Sequence, residues 1–192
     1  MLAALAFAIS NWLVLAGRPV AAGVVLICFV GLLRVSEALN LKADELIITG
    51  EKLVIVLQLT KRGVFQKVVC SNIGVLQWFA LFVKRCPPQH HVFPVSYNVF
   101  ARWLRKAAAA LGNTEDWTSH SLRRGGATEL QRQGVPLADI MLQGRWLSSR
   151  SAREYLRKGD LAMLRHESSL PDAYLERLDR FARLGPSVWA CD

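Results

Sequence analysis

The sequence predicts an α+β domain, mainly helical, that carries one small antiparallel sheet. Three observations lead there. Two apolar runs, residues 1–17 and 19–33, carry no side-chain charge and are divided only by Arg18 and Pro19. Short segments rich in β-branched and aliphatic residues cluster between residues 45 and 70. Beyond residue 75, stretches with helical spacing alternate with Gly112, Gly134 and Gly144.

The first run reads as an apolar helix from Met1 to Ala16, ended by Gly17-Arg18-Pro19. Pro19 suits the first turn of a second helix, expected to run to about Leu39 and to deliver Arg34 and Glu37 from the core to a cleft. Each run is shorter than the roughly 20 residues a spanning helix needs, and no basic region precedes the first. Two buried helices are therefore expected rather than a membrane element.

Glu45 to Ile48, Lys52 to Leu59 and Val64 to Cys70 read as three strands, with turns at Thr49-Gly50 and Lys61-Arg62-Gly63. The second turn would present Lys61 and Arg62 at a hairpin tip. Helices are then expected at Val75 to Lys84, Ser96 to Leu111, Ser119 to Gln133, Pro136 to Gln143 and Ser149 to Arg157. A last amphipathic helix, about Asp172 to Leu184, places Leu175, Leu178 and Phe181 along one side. Residues 1–159 form the expected main domain and 160–192 a C-terminal tail.

A formal net charge of +9 on 192 residues favours a polyanionic partner, nucleic acid or an anionic membrane surface. Residues 1–60 balance four basic side chains (Arg18, Arg34, Lys42, Lys52) against four acidic ones (Glu37, Asp44, Glu45, Glu51), so the whole excess lies later. From His120 to Arg165 nine basic residues face four acidic ones, enough to neutralise phosphates or to favour a phenolate. Cys28, Cys70, Cys86 and Cys191 show no C-x-x-C spacing, which points to reduced thiols in an intracellular protein. Cys86-Pro-Pro-Gln-His90-His91 reads as a polar loop, and no metal site or cofactor is expected.

The segment Ser119-His120-Ser121-Leu122-Arg123-Arg124, then Gly144-Arg145-Trp146 and Tyr155, carries the chemistry. Residues three or four apart on a helix share a face, so His120 can point with Arg123 or with Arg124 at one phosphate. A guanidinium stays protonated and grips phosphate with two donors, which suits Arg34 and Arg123 as a clamp. Lys61 has a proton for a departing hydroxyl, and an imidazole can take one from a phenol. Tyr155 is the candidate nucleophile; Tyr97 and Tyr174 are rival phenols, read as packing residues.

These motifs resemble the catalytic domain of a tyrosine recombinase of the phage integrase type, over roughly Leu26 to Leu156. Gly31-Leu32-Leu33-Arg34-Val35-Ser36-Glu37-Ala38-Leu39 resembles the family's first arginine box, and Leu59-Thr60-Lys61-Arg62-Gly63 its hairpin lysine. His120-Ser121-Leu122-Arg123 resembles the H-x-x-R box, and Gly144-Arg145-Trp146 with Tyr155 the closing segment. The resemblance implies Arg34 and Arg123 as clamp, Lys61 as general acid, His120 as general base, Tyr155 as nucleophile and Glu37 orienting Arg34. Family spacing selects Arg123 over Arg124. Trp146 stands where many members carry histidine, and its indole N–H can still donate to a phosphate oxygen.

The implied activity is DNA strand cleavage and rejoining through a 3′-phosphotyrosyl link, with double-stranded DNA as partner and a tetramer on it. Arg62, Lys67, Arg124, Arg145 and Arg150 are the expected DNA contacts. The tail helix is expected to pack on a neighbouring protomer or on its own chain. The family's usual N-terminal helical domain has no counterpart ahead of the first helix, so a fragment, a truncated product or a domain reliant on another protein is implied. A type IB topoisomerase and a binding module with an idle catalytic set are the competing readings. Lysine would stand at the His120 position in the former.

Overall fold

In the computed structural model, residues 3–58, 66–70, 75, 79–80, 86–112, 118–169, 176, 180 and 182–183 are described, the side chains of residues 119, 162, 163 and 165–169 excepted. The first helix, α1 (Ala3–Leu15), lies against α2 (Pro19–Val30). Every residue of α2 from Ala21 to Phe29 is buried, because α1 and two later helices, Tyr97–Ala110 and Ser119–Arg132, close around it. A helix enclosed on all sides has no polar face to keep, which explains its uninterrupted apolar sequence. Among the described residues no helix is long and apolar enough to cross a membrane.

The expected second helix does not reach Leu39. It stops at Val30, the chain turns through Leu32 at φ +50°, and a short helix α3 (Val35–Leu39) begins anew. Glu37 starts that helix by accepting the backbone N–H of Arg34 at 2.7 Å, so Arg34 stands at a helix entrance rather than inside a helix.

A 3₁₀ turn (Ala43–Glu45) leads into an antiparallel sheet of β1 (Leu46–Thr49), β2 (Lys52–Leu57) and β3 (Gln66–Cys70), in that order. Leu46 pairs with Ile55, and Leu53 with Cys70. Alternation puts Leu53, Ile55, Leu57, Val68 and Cys70 into the core. The tip bearing Lys61 and Arg62 lies outside the described residues, as does most of the expected Val75 to Lys84 helix, of which residues 75, 79 and 80 are helical.

The remaining helices are α4 (Tyr97–Ala110), α5 (Ser119–Arg132), α6 (Leu137–Gly144) and α7 (Ser149–Ser169). The last runs twelve residues past its expected end at Arg157 and crosses residue 159 without a break. Gly159 is not a helix stop: a Cβ there would lie 2.0 Å from Thr128 Oγ1, so the glycine lets α7 close on α5. Gly126 works the same way, its absent Cβ leaving room for the Phe29 carbonyl of α2. A second, smaller core of Leu32, Ala127, Ile140 and Leu156 lies where α5, α6 and α7 meet.

Residues 176, 180 and 182 of the expected tail helix are helical, while Leu175, Leu178 and Phe181 lie outside the described residues. The Asn11 amide of α1 donates to the Ala182 carbonyl at 3.4 Å, so the tail returns to its own chain. The Cys86 thiol faces the backbone carbonyls of Pro87, His90 and His91, and no metal-binding group of histidine, cysteine and carboxylate side chains occurs among the described residues.

Candidate active site

The site forms where the start of α3, the first turns of α5, the end of α6 and the second turn of α7 meet. Glu37 is its hub. One carboxylate oxygen accepts Arg34 Nη1 at 2.6 Å; the other accepts Arg145 Nη2 at 2.5 Å and lies 3.9 Å from Arg123 Nη1. Three guanidinium groups thus surround one carboxylate, leaving a surplus of positive charge in a largely buried place. The side chains of Arg123 and Arg145 are each 4 % exposed, whereas that of Arg34 is 40 % exposed and opens to solvent.

Arg123 enters from the first turn of α5 and donates through Nη2 to the Gly144 carbonyl. Its Nη1 is a buried charged donor with no hydrogen-bond acceptor among the described residues. Burial, with Arg34 and Arg145 close by, lowers its pKa to about 10, which leaves it protonated at neutral pH.

Trp146 lies between Arg123 and Tyr155. Its ring lies 4.8 Å from Arg123 Cζ and 5.1 Å from the Tyr155 ring, tilted by 53°. Gly144 is required beneath it, since a Cβ there would come within 1.9 Å of the indole. The left-handed turn that ends α6 is therefore taken not by Gly144 but by Arg145, at φ +55°.

Tyr155 donates its hydroxyl to the backbone carbonyl of His120 at 3.3 Å. Arg124 lies over the phenol ring, 5.4 Å from its centroid. Burial raises the Tyr155 pKa above the usual phenol value, and the nearby Arg123, Arg124 and Arg34 only partly offset it. The expectation that local positive charge would favour the phenolate is thus corrected: desolvation wins.

The structure gathers Arg34, Glu37, His120, Arg123, Trp146 and Tyr155 around one place, with the His120 side chain exposed. Lys61 and Arg62 lie outside the described residues, and Lys67 and Arg150 are exposed on β3 and α7. Arg145, assigned by the sequence to DNA contact, is corrected: its guanidinium is buried behind the site on Glu37 and the Leu32 carbonyl. Tyr97 is half exposed at the start of α4, and Tyr174 lies outside the described residues.

Sequence reasoning also passed over the outer face of α4. Arg102, Arg105 and Lys106 are exposed there at helical spacing, with buried Phe100, Leu104 and Ala107 opposite, and Arg18 and Lys106 flank Trp103 at 4.6 and 5.0 Å. That periodicity was available in the sequence, in a helix without a single acidic residue.

A sequence model of the phage integrase family matches residues 18–161. No curated protein sequence matches the chain significantly. Among solved structures, that of XerA recombinase superposes with a TM-score of 0.63 at 16 % identity, covering 90 % of this chain and 61 % of that one. XerH site-specific recombinase bound to palindromic difH substrate, a post-cleavage complex, gives 0.64 at 16 % identity over 88 % of this chain and 52 % of that one. Its pre-cleavage complex with difH gives 0.62 at 16 % identity over 81 % and 49 %. At that identity the likeness is one of fold, and this chain spans about half to three fifths of those proteins.

Proposed function

The chain belongs to the phage integrase family, and we propose that it cuts and rejoins double-stranded DNA as a tyrosine recombinase, through a 3′-phosphotyrosyl intermediate. The observation that carries this reading is the convergence of Arg34, at the entrance to α3, with Arg123 of α5 and Tyr155 of α7 on one positively charged site.

In this proposal Arg34 and Arg123 grip the nonbridging oxygens of one phosphate, Arg123 using the Nη1 donor that has no acceptor among the described residues. The Tyr155 oxygen attacks phosphorus and the bond to the 5′ oxygen breaks. The phenol proton passes to the His120 imidazole, and Lys61 gives a proton to the departing 5′ oxygen, which leaves as a hydroxyl. Rejoining reverses each transfer with an incoming 5′ hydroxyl. The tyrosyl ester keeps the energy of the broken phosphodiester, so the exchange needs no ATP.

The exposed basic residues of α4 and α7 would carry the duplex, with Arg150 and Lys67 as phosphate contacts and a tetramer as the working assembly. Residues 1–159 hold every proposed reacting group. The test is covalent capture on a pool of nicked duplexes of randomised sequence. Wild type should give a protein–DNA band stable to denaturant, and Tyr155→Phe should give none. A band of equal strength in that variant would reject the nucleophile.

A further inference from the structure

We propose that Arg145 is a positioning residue for strand cleavage: it fixes the Glu37 carboxylate, aims that carboxylate at Arg34 and keeps it away from Arg123. The proposal rests on the recombinase reading of the site and adds a residue that acts through Glu37 rather than on DNA.

The backbone is the first sign. Arg145 sits at φ +55°, and Leu32, whose carbonyl its guanidinium meets at 3.4 Å, sits at φ +50°. These are the two non-glycine residues with positive φ among the described residues, and they lie at either end of one hydrogen bond. Side chains resist that conformation, so the surroundings must over-determine it. At Arg145 the strain turns the side chain inward, where Nη1 also meets the Gln143 carbonyl at 3.4 Å. The Gln143 side chain closes the same corner by donating to the Val30 carbonyl at 2.8 Å.

The second sign is competition for one oxygen. Glu37 Oε2 lies 2.5 Å from Arg145 Nη2 but 3.9 Å from Arg123 Nη1. With Arg145 present, Oε2 accepts both Arg145 Nη2 and, at 2.7 Å, the backbone N–H of Arg34, while Oε1 is directed at Arg34 Nη1. Without it, Oε2 keeps only the Arg34 backbone N–H, and a short rotation about that hydrogen bond would bring the oxygen onto Arg123 Nη1, the buried donor without an acceptor among the described residues. That pairing would consume the donor proposed for phosphate and loosen the hold on Arg34. A direct phosphate contact by Arg145 does not fit a guanidinium whose Nη1 and Nη2 already donate to Gln143, Leu32 and Glu37, whereas Arg123 Nη1 has no acceptor among the described residues.

The test compares the full chain with Arg145→Gly, Arg145→Lys, Glu37→Gln and the Arg145→Gly/Glu37→Gln pair, on one nicked duplex taken from the capture pool. Glycine accepts positive φ, so Arg145→Gly removes the guanidinium without adding backbone strain. The rate of covalent adduct formation at saturating DNA should fall about 10- to 100-fold in that variant, the usual consequence of a misplaced clamp. The affinity for the duplex and its salt dependence should stay as in wild type. Arg145→Lys should recover part of the rate, because an ammonium can still occupy Oε2; it also serves as the readout if the glycine variant does not fold. In the Glu37→Gln background, loss of Arg145 should change the rate less than about twofold, the signature of two residues acting as a unit.

A wild-type rate in Arg145→Gly would overturn the proposal. So would multiplied losses in the double variant, or a weakened affinity with a salt slope reduced by about one, which marks a direct phosphate contact. Absence of adduct from wild type would overturn the recombinase reading itself; normal wild-type adduct with an indifferent Arg145 would overturn only this inference.

Discussion

The Tyr155 hydroxyl donates to the backbone carbonyl of His120, not to its imidazole. A carbonyl can hold a proton donor but cannot take the proton, so the phenol rests in its neutral form. Burial works in the same direction and raises its pKa. In the proposed reaction this hydrogen bond breaks and the phenol proton passes to the His120 imidazole.

That arrangement predicts the pH dependence of cleavage. In His120→Ala only the phenolate attacks, and its population below a raised pKa grows tenfold per pH unit. The single-turnover rate of that variant should climb log-linearly and without a plateau up to pH 10, while wild type should be less steep. A plateau in the variant near neutral pH would contradict both the raised pKa and the proposed base.

Glu37 is the counterion for two arginine side chains that are each 4 % exposed. Glu37→Gln leaves them facing one another without it, and removing one partner of a buried ion pair costs about 3–5 kcal/mol. Urea unfolding should report a loss in that range. A loss below about 1 kcal/mol would show that the charges are solvated and the hub is not a hub.

Two glycines should separate stability from activity. Gly126→Ala drives a Cβ to 1.9 Å from the Phe29 carbonyl, a rigid backbone atom, and should destabilise by about 1–3 kcal/mol with little change in the rate per folded molecule. Gly144→Ala meets the Trp146 ring instead and should displace it from between Arg123 and Tyr155, lowering the cleavage rate more than the unfolding midpoint. Equal behaviour of the two variants in both measurements would contradict the role given to Trp146.

Much of this was legible in the sequence because the informative features are local. The apolar runs and the Thr49-Gly50 turn each act within a few residues, and each appears in the structure, as does the single helix that carries both His120 and Arg123. The break at Val30 was not legible, since Leu32 adopts a left-handed conformation that its own side chain disfavours and that tertiary contacts impose. The packing roles of Gly144 and Gly159 were not legible for a related reason. Their missing side chains make room for Trp146 and Thr128, neighbours that only folding brings near. The inward turn of Arg145 has no sequence signal either, because surface arginines look the same in a chain.

Alkaline stability follows from the buried thiols. Burial pushes the Cys70 thiol up to about 12 and raises that of Cys28 further. The native state therefore holds these protons more tightly than the unfolded chain, whose thiols titrate near about 8.5. Their contribution is complete below that value and declines by about 1.4 kcal/mol per pH unit for each thiol as pH rises toward the folded value. Stability should fall more steeply between pH 8.5 and 10.5 in wild type than in Cys28→Ala/Cys70→Ala. Parallel curves would contradict the assignment.

The central claim is that Tyr155 becomes covalently joined to DNA at the recess formed by Arg34 and Arg123. Trypsin cuts after Arg153 and Arg157, so the tyrosine is released on the four-residue peptide Glu154-Tyr155-Leu156-Arg157. Mass spectrometry of the captured complex, after nuclease trimming, should find a 3′-nucleotide phosphate on that peptide. Finding it on the peptide that carries Tyr97 or Tyr174, or on none from a complex that did form, would contradict the account.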